Sequence, residues 1–102
     1  MPERTHPTQQ DEGLRHATQP SEACRTLLLA IAQYLSVARP GDAMVDESRI
    51  YLARSYAQRW YGQDTATGAA RTRDVLDHAP APRTGQTRGE YALILRAIAE
   101  GR

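Results

Sequence analysis

The chain has 102 residues and carries 13 basic and 12 acidic side chains, which gives a net charge of +1. A chain of this length can bury one small core, which excludes a second domain and large catalytic folds such as an eight-stranded barrel. The near-neutral charge excludes a global electrostatic field that would steer the chain to nucleic acid or to an acidic membrane.

Residue usage is skewed in a way that reflects coding rather than function. All 13 basic residues are arginine, and lysine, asparagine and phenylalanine are absent. Because these absent residues have AT-rich codons, we expect the chain to come from a GC-rich bacterium or its phage. The single cysteine, Cys24, excludes an intrachain disulfide, and no apolar run is long enough to span a bilayer. We therefore expect a cytoplasmic protein that does not contact a membrane.

Residues 1–20 are predicted to form a flexible N-terminal tail. They contain three prolines, and Leu14 is their only large aliphatic side chain after Met1. Such a segment cannot bury enough apolar surface to offset the entropy that is lost on ordering. We expect a single helical domain to follow the tail, over residues 21–102.

Helical periodicity predicts the first two helices on either side of a Pro-Gly turn. The first helix runs over 22–38 and begins after the N-cap Ser21. The second runs over 43–61, with Asp42 as its N-cap and Gly62 as its left-handed C-terminal residue. Apolar side chains cover about half the circumference of the second helix, so we expect it to be the central helix of the domain.

Two further helices are predicted in the second half of the chain. The third runs over 65–79 and is weaker, because its apolar side consists of small residues and Gly68 lowers its helix propensity. The fourth runs over 88–100, after Thr87 and Glu90, which have the spacing of a capping box. No segment alternates apolar and polar residues, so the predicted fold is an all-α, four-helix domain packed around the second helix.

Most sequence motifs for catalysis, cofactor binding and metal binding are absent. There is no phosphate-binding glycine loop, no paired-cysteine zinc signature and no HExxH. Asp74 and His78, four residues apart on the third helix, offer only half of a metal site and are interpreted as a solvated surface pair. Cys24 falls on the apolar stripe of the first helix and is interpreted as a core residue. These observations favour a protein without enzyme activity, cofactor or metal.

One polar constellation interrupts the apolar face of the second helix. Asp46 and Arg49 are three residues apart and are expected to pair, and Arg49 shares its side of the helix with Tyr56 and Trp60. In one interpretation these four residues form a ligand or partner patch in which Arg49 anchors an anion. In the other, Asp46 and Arg49 are a structural ion pair at the rim of the core. The sequence leaves both interpretations open.

Surplus apolar residues predict an interface. On a chain this small, large apolar side chains outside the main helical stripes are typical of a surface that binds another protein. Four residues meet this description: Leu29, Met44, Tyr51 and Leu93. The function expected first is therefore a non-catalytic interaction or regulatory module whose protein partner is a second copy of the chain, in a homodimer.

Two alternative functions stay open at this point. The first is a nucleic-acid-associated transcriptional regulator that uses Arg71, Arg73 and Arg83, although acidic residues on the third helix and a poor helix-turn-helix match disfavour it. The second is a small-molecule-binding or accessory protein of a biosynthetic pathway, which uses the patch around Arg49 and Trp60.

Overall fold

The computed structural model describes residues 19–101 and contains four α-helices in this range. They are α1 (Glu22–Val37), α2 (Asp46–Tyr61), α3 (Ala66–His78) and α4 (Arg88–Ala99). No strand occurs among these residues, which form a single antiparallel β-bridge, between Ala43 and Thr87. The predicted all-α, four-helix fold is confirmed. The predicted tail lies outside the described residues, except for its last two positions.

α1 packs against each of the three other helices. It packs most extensively on α4, while α2 packs chiefly on α3, so the domain consists of two helix pairs joined along α1. Leu27, Leu28 and Leu35 of α1 are fully buried in the core. The central position expected for α2 thus belongs to α1. The wide apolar sector predicted for the second helix is only partly covered, since Trp60 is 44% exposed and Val45, which precedes α2, is 48% exposed.

α2 begins three residues later than its sequence pattern predicts. The N–H of Met44 donates to the carbonyl of Gln86, and the N–H of Arg88 donates to the carbonyl of Asp42. Both N···O distances are 2.8 Å. Residues 42–44 therefore pair with the start of α4 and do not form the first turn of α2. Asp42 is therefore not the N-cap of α2; Val45 occupies that position and makes no side-chain capping bond.

The first backbone N–H groups of α4 all have hydrogen-bond acceptors. Thr87 and Glu90 form the predicted capping box. The Thr87 hydroxyl accepts from the N–H of Glu90 at 3.1 Å, and the Glu90 carboxylate accepts from the N–H of Thr87 at 2.9 Å. The N–H groups of Arg88 and Gly89 donate to two carbonyls of the α1–α2 loop, at 2.8 and 2.9 Å. A helix start normally leaves these donors to water. The N-terminus of α4 therefore holds the α1–α2 loop in place.

The close packing of α3 against the end of α2 requires glycine at position 68. The hydroxyl of Thr65 caps α3 by accepting from the N–H of Gly68 at 2.9 Å. A Cβ atom at position 68 would collide with the carbonyl oxygen of Gly62, at the end of α2. The glycine lets the two helices approach closely across a short turn, and this contact offsets its low helix propensity.

Gly68→Ala should destabilise the protein by about 1–3 kcal/mol, because the new methyl group has to displace the Gly62 carbonyl. Helix propensity alone predicts the opposite sign, a gain of roughly 1 kcal/mol. Urea unfolding followed by circular dichroism measures the difference. Gly41→Ala is the matched control, since no atom lies within 4 Å of a Cβ at position 41. A stabilising alanine at position 68 would contradict the close approach of the helices.

Candidate functional site

Arg49 lies where α2 meets the end of α3. Its Nε is 2.7 Å from Oδ1 of Asp46, so the two side chains pair as their spacing predicts. Its Nη1 donates to the carbonyls of Leu76 and Ala79, at 3.2 and 2.9 Å. The Arg49 side chain is 17% exposed, whereas that of Asp46 is 53% exposed. The guanidinium is thus held between a solvated carboxylate and the C-terminal end of α3.

These contacts make Arg49 a C-terminal cap of α3. The last carbonyls of a helix have no partner inside it and carry partial negative charge. α3 continues as extended chain at Ala79, without the left-handed glycine that commonly closes a helix. The guanidinium supplies the missing donors from the neighbouring helix. The geometry therefore favours the structural interpretation of the Asp46–Arg49 pair over an anion anchor.

Tyr91 of α4 secures the same junction. Its side chain is 1% exposed, and its hydroxyl donates to the carbonyl of Pro80, just beyond α3. Burial raises the pKa of Tyr91 to about 12; the charge of Arg49 opposes this shift and that of Asp46 adds to it. A tyrosine that stays neutral keeps its proton for donation. α2, α3 and α4 are therefore joined by polar contacts at one point.

The aromatic half of the predicted patch lies apart from its polar half. Tyr56 and Trp60 contact each other edge to face, with ring centroids 5.8 Å apart and planes at 84°. The guanidinium of Arg59 lies 5.3 Å from the centroid of the Tyr56 ring. Arg49 and Trp60 are separated by about 16 Å along the axis of α2, from the helical rise. The four residues therefore divide into a polar cap near the start of α2 and an aromatic pair near its end.

Two of the four residues predicted to form an interface are exposed. Tyr51 on α2 is 67% exposed, and Leu93 on α4 is 63% exposed. Leu29 is partly buried against the core, and Met44 is a core residue that is only 4% exposed. The prediction for Met44 is wrong because Met44 precedes α2. Its spacing from Tyr51 therefore does not put the two side chains on one helix face.

A partly buried polar cluster lies beside the buried Cys24. Its Sγ lies 3.8 Å from Nδ1 of His78, although 54 positions separate the two residues. That Nδ1 donates to the carbonyl of Asp74 at 2.9 Å, while the Asp74 carboxylate pairs with Arg71 at 3.1 Å. Burial raises the pKa of Cys24 to about 11, and the charge of Asp74 adds to the shift. The thiol is therefore protonated at neutral pH and is a poor nucleophile.

Asp74 and His78 offer no more than the half metal site that their spacing suggests. The His78 ring faces a backbone carbonyl, and the Asp74 carboxylate is paired with Arg71. His78 is partly buried, so it is less solvated than the interpretation as a surface pair expects. Within residues 19–101, no group of three or more His, Cys, Asp or Glu side chains could hold a metal ion.

The three arginines considered for nucleic-acid contact are in different environments. Arg71 pairs with Asp74 and lies over the ring of Tyr61, 5.4 Å from its centroid. Arg73 is exposed in a groove between α2 and α3, whereas Arg83 is exposed in the α3–α4 loop and lines a separate cavity. The three side chains therefore do not share one cavity.

Arg88 is a buried cation that sequence reasoning missed. It is 8% exposed, its Nε donates to the carbonyl of Ala38 at 2.9 Å, and its guanidinium lies 5.5 Å from the centroid of the Tyr34 ring. Arg88 thus caps the end of α1 from α4, as Arg49 caps α3 from α2. The last turn of α1 contains no basic residue that could donate to its final carbonyls. That absence in the sequence indicates that a donor has to come from another element.

Comparisons with known proteins provide no function to transfer. No protein-family model matches the chain, and neither a curated protein nor a solved structure does. In the part of the chain that the structure describes, no helix is long and apolar enough to cross a membrane. Function therefore has to be inferred from the chain's own surface.

Arg49→Met should lower the free energy of unfolding by about 1–3 kcal/mol, because it keeps the apolar stem but leaves two helix-end carbonyls without a donor. Arg39→Met is the matched control, since Arg39 and Asp42 are 3.5 Å apart with side chains 77% and 57% exposed. Exposed pairs of this kind contribute little, so the control should unfold like the wild type. Urea unfolding measures both variants. Wild-type stability in Arg49→Met would instead favour a ligand anchor.

The Cys24 thiol should resist alkylation. At pH 8, iodoacetamide should modify the folded chain at least ~100-fold more slowly than the urea-unfolded chain, because raising the pKa from 9.0 to about 11 lowers the thiolate fraction by that factor. A mass-spectrometric time course measures both rates. Alkylation of the folded protein at the unfolded rate would contradict the buried, protonated state.

The same pKa shift makes stability depend on alkaline pH. Because the folded pKa lies above the ordinary value of 9.0, the contribution of Cys24 to stability is complete below pH 9 and is lost as the pH rises toward 11. Cys24→Ala should therefore lose less stability across this range than the wild type does. Tyr91 also titrates at alkaline pH but is present in both proteins, so their difference isolates the thiol.

Proposed function

We propose that the chain is a non-catalytic helical interaction module that works as a homodimer. The observation that carries this proposal is Leu93, which lies in the middle of α4 and is 63% exposed. The opposite face of α4 is already buried against α1. Covering a large apolar side chain that faces water is favourable, and a second copy of the chain would cover it.

The surface around Leu93 is suited to pairing with itself. Leu93 lines a cavity of about 550 Å³ together with Ile94, Arg83 and Glu90, where α4 meets the preceding loop. The patch combines two apolar side chains with one positive and one negative side chain. In a two-fold dimer the patch meets its own copy, so Arg83 of each subunit can face Glu90 of the other. The charges would set the orientation while the apolar residues supply the buried contact.

The engagement of the reactive side chains supports a non-catalytic role. The thiol of Cys24 and the phenol of Tyr91 are held in their protonated forms by burial, which raises the pKa of each. The guanidinium groups of Arg49 and Arg88 cap helix ends. Each of these groups is engaged in holding the fold.

The two alternative functions have less support. A nucleic-acid regulator would need Arg71, whose guanidinium is engaged with Asp74. A small-molecule site would need Arg49, which is engaged with the end of α3. Three surface cavities in the described part of the chain contain neither Arg49 nor Trp60.

The proposal includes a cytoplasmic location in a GC-rich bacterium or its phage. The fold buries its single cysteine in the free form, which suits a reducing compartment. The exclusive use of arginine as the basic residue suits a GC-rich genome.

Sedimentation equilibrium at tens of micromolar tests the dimer. We expect the wild type to be dimeric and Leu93→Glu to be a folded monomer, because the variant would place a charge at the centre of the interface. Tyr51→Glu is the matched control, since Tyr51 is 67% exposed on α2 and lies outside the patch. It should remain dimeric. A strictly monomeric wild type would remove the homodimer from the proposal.

A further inference from the structure

A second surface feature lies between α2 and α3. A groove of about 420 Å³ is lined by residues of these two helices, among them Arg54, Ala69, Thr72, Arg73, Leu76 and Asp77. Most of these side chains are exposed, and Leu76 and Thr72 are partly buried. The groove therefore combines an accessible apolar surface with charged side chains.

The lining residues follow helical spacing. On α3, Ala69, Arg73 and Leu76 are separated by four and three positions and lie along one side of the helix. On α2, Tyr51 precedes Arg54 by three positions and extends the same side as a 67% exposed ring. Two neighbouring helices with such stripes form a channel of the kind in which a third, amphipathic helix packs.

Arg54 and Arg73 lie at about the same level on the two sides of the groove. α2 and α3 are antiparallel neighbours, fixed at one end by the hydrogen bonds from Arg49 and at the other by the glycine contact at their turn. Counting residues inward from both points brings position 54 level with position 73 to within about one helical turn. Both side chains are exposed, and neither has an ion-pair partner among residues 19–101.

This charge arrangement favours an anionic partner. Like charges that face each other oppose folding, and an acidic group between them relieves the repulsion. Asp77 also lines the groove, one helical turn after Arg73, so the lining carries two positive charges and one negative charge. The apolar stripe adjoining the arginines favours an amphipathic protein segment over a free phosphate or a nucleic-acid backbone.

We propose that the α2–α3 groove binds an acidic amphipathic helix of another protein. Apolar side chains of that helix would pack on Ala69 and Leu76, and its carboxylates would lie between Arg54 and Arg73. This inference rests on the proposed function as an interaction module and gives the module a second docking surface, separate from the one around Leu93.

The test uses helix-stapled, dye-labelled peptides of about 14 residues, a length that matches α3. All three peptides carry the same leucine stripe, and their flanking residues are glutamate, glutamine or lysine. Fluorescence anisotropy with the full chain measures binding. We expect the glutamate peptide to bind at least ~10-fold more tightly than the glutamine peptide and the lysine peptide to bind least.

Two double variants each replace two arginines by glutamates, one inside the groove and one outside it. Arg54→Glu combined with Arg73→Glu should weaken binding of the glutamate peptide by more than ~10-fold and should create binding of the lysine peptide. Arg25→Glu combined with Arg59→Glu changes the net charge equally at exposed positions outside the groove lining and should bind like the wild type. Circular dichroism shows whether both variants are folded.

Each contrary outcome overturns a different part of the inference. Equal binding of the glutamate and glutamine peptides would overturn the acidic partner, and no binding by any peptide would overturn the groove as a helix site. Salt-dependent binding of a DNA duplex through the same two arginines, in place of peptide, would assign the groove to nucleic acid. None of these results alters the homodimer, which sedimentation of Leu93→Glu tests separately.

Discussion

Two arginine caps hold the helix pairs of this domain together. The end of a helix needs donors that the helix does not contain. Arg88 on α4 supplies one to the end of α1, and Arg49 on α2 supplies them to the end of α3. The most extensive packing occurs in the same two pairs, α1 with α4 and α2 with α3. Each cap therefore satisfies a helix end and fixes the position of the partner helix along it.

Arginine suits the position of Arg49 for a physical reason. A guanidinium carries five donors in a planar fork, so Arg49 can reach a carboxylate and two carbonyls at once. The partial negative charge of the helix end offsets part of the cost of removing the cation from water. A lysine ammonium has the same charge but no fork, and it would not span these acceptors as well.

Features set by near neighbours in the chain could be predicted from the sequence, whereas features set by distant ones could not. Ser21 and Thr87 cap their helices as predicted, because each cap joins groups three positions apart. The start of α2 depends on backbone pairing with residues of the α4 start, and no local signal records it. In the candidate site, spacing predicted the Asp46–Arg49 pair, but the carbonyls that Arg49 also contacts lie 27 and 30 positions away.

The two capped pairs enclose different lengths of chain, and this difference bears on the order in which we expect the domain to fold. The contacts of Arg49 with Leu76 and Ala79 span 27 and 30 positions, whereas the contact of Arg88 with Ala38 spans 50. The entropy lost on closing a loop grows with its length, so we expect the inner helical hairpin to form first and α1 and α4 to close around it. The groove between α2 and α3 belongs entirely to that early unit. A partner helix could therefore engage the chain before its outer helices have met.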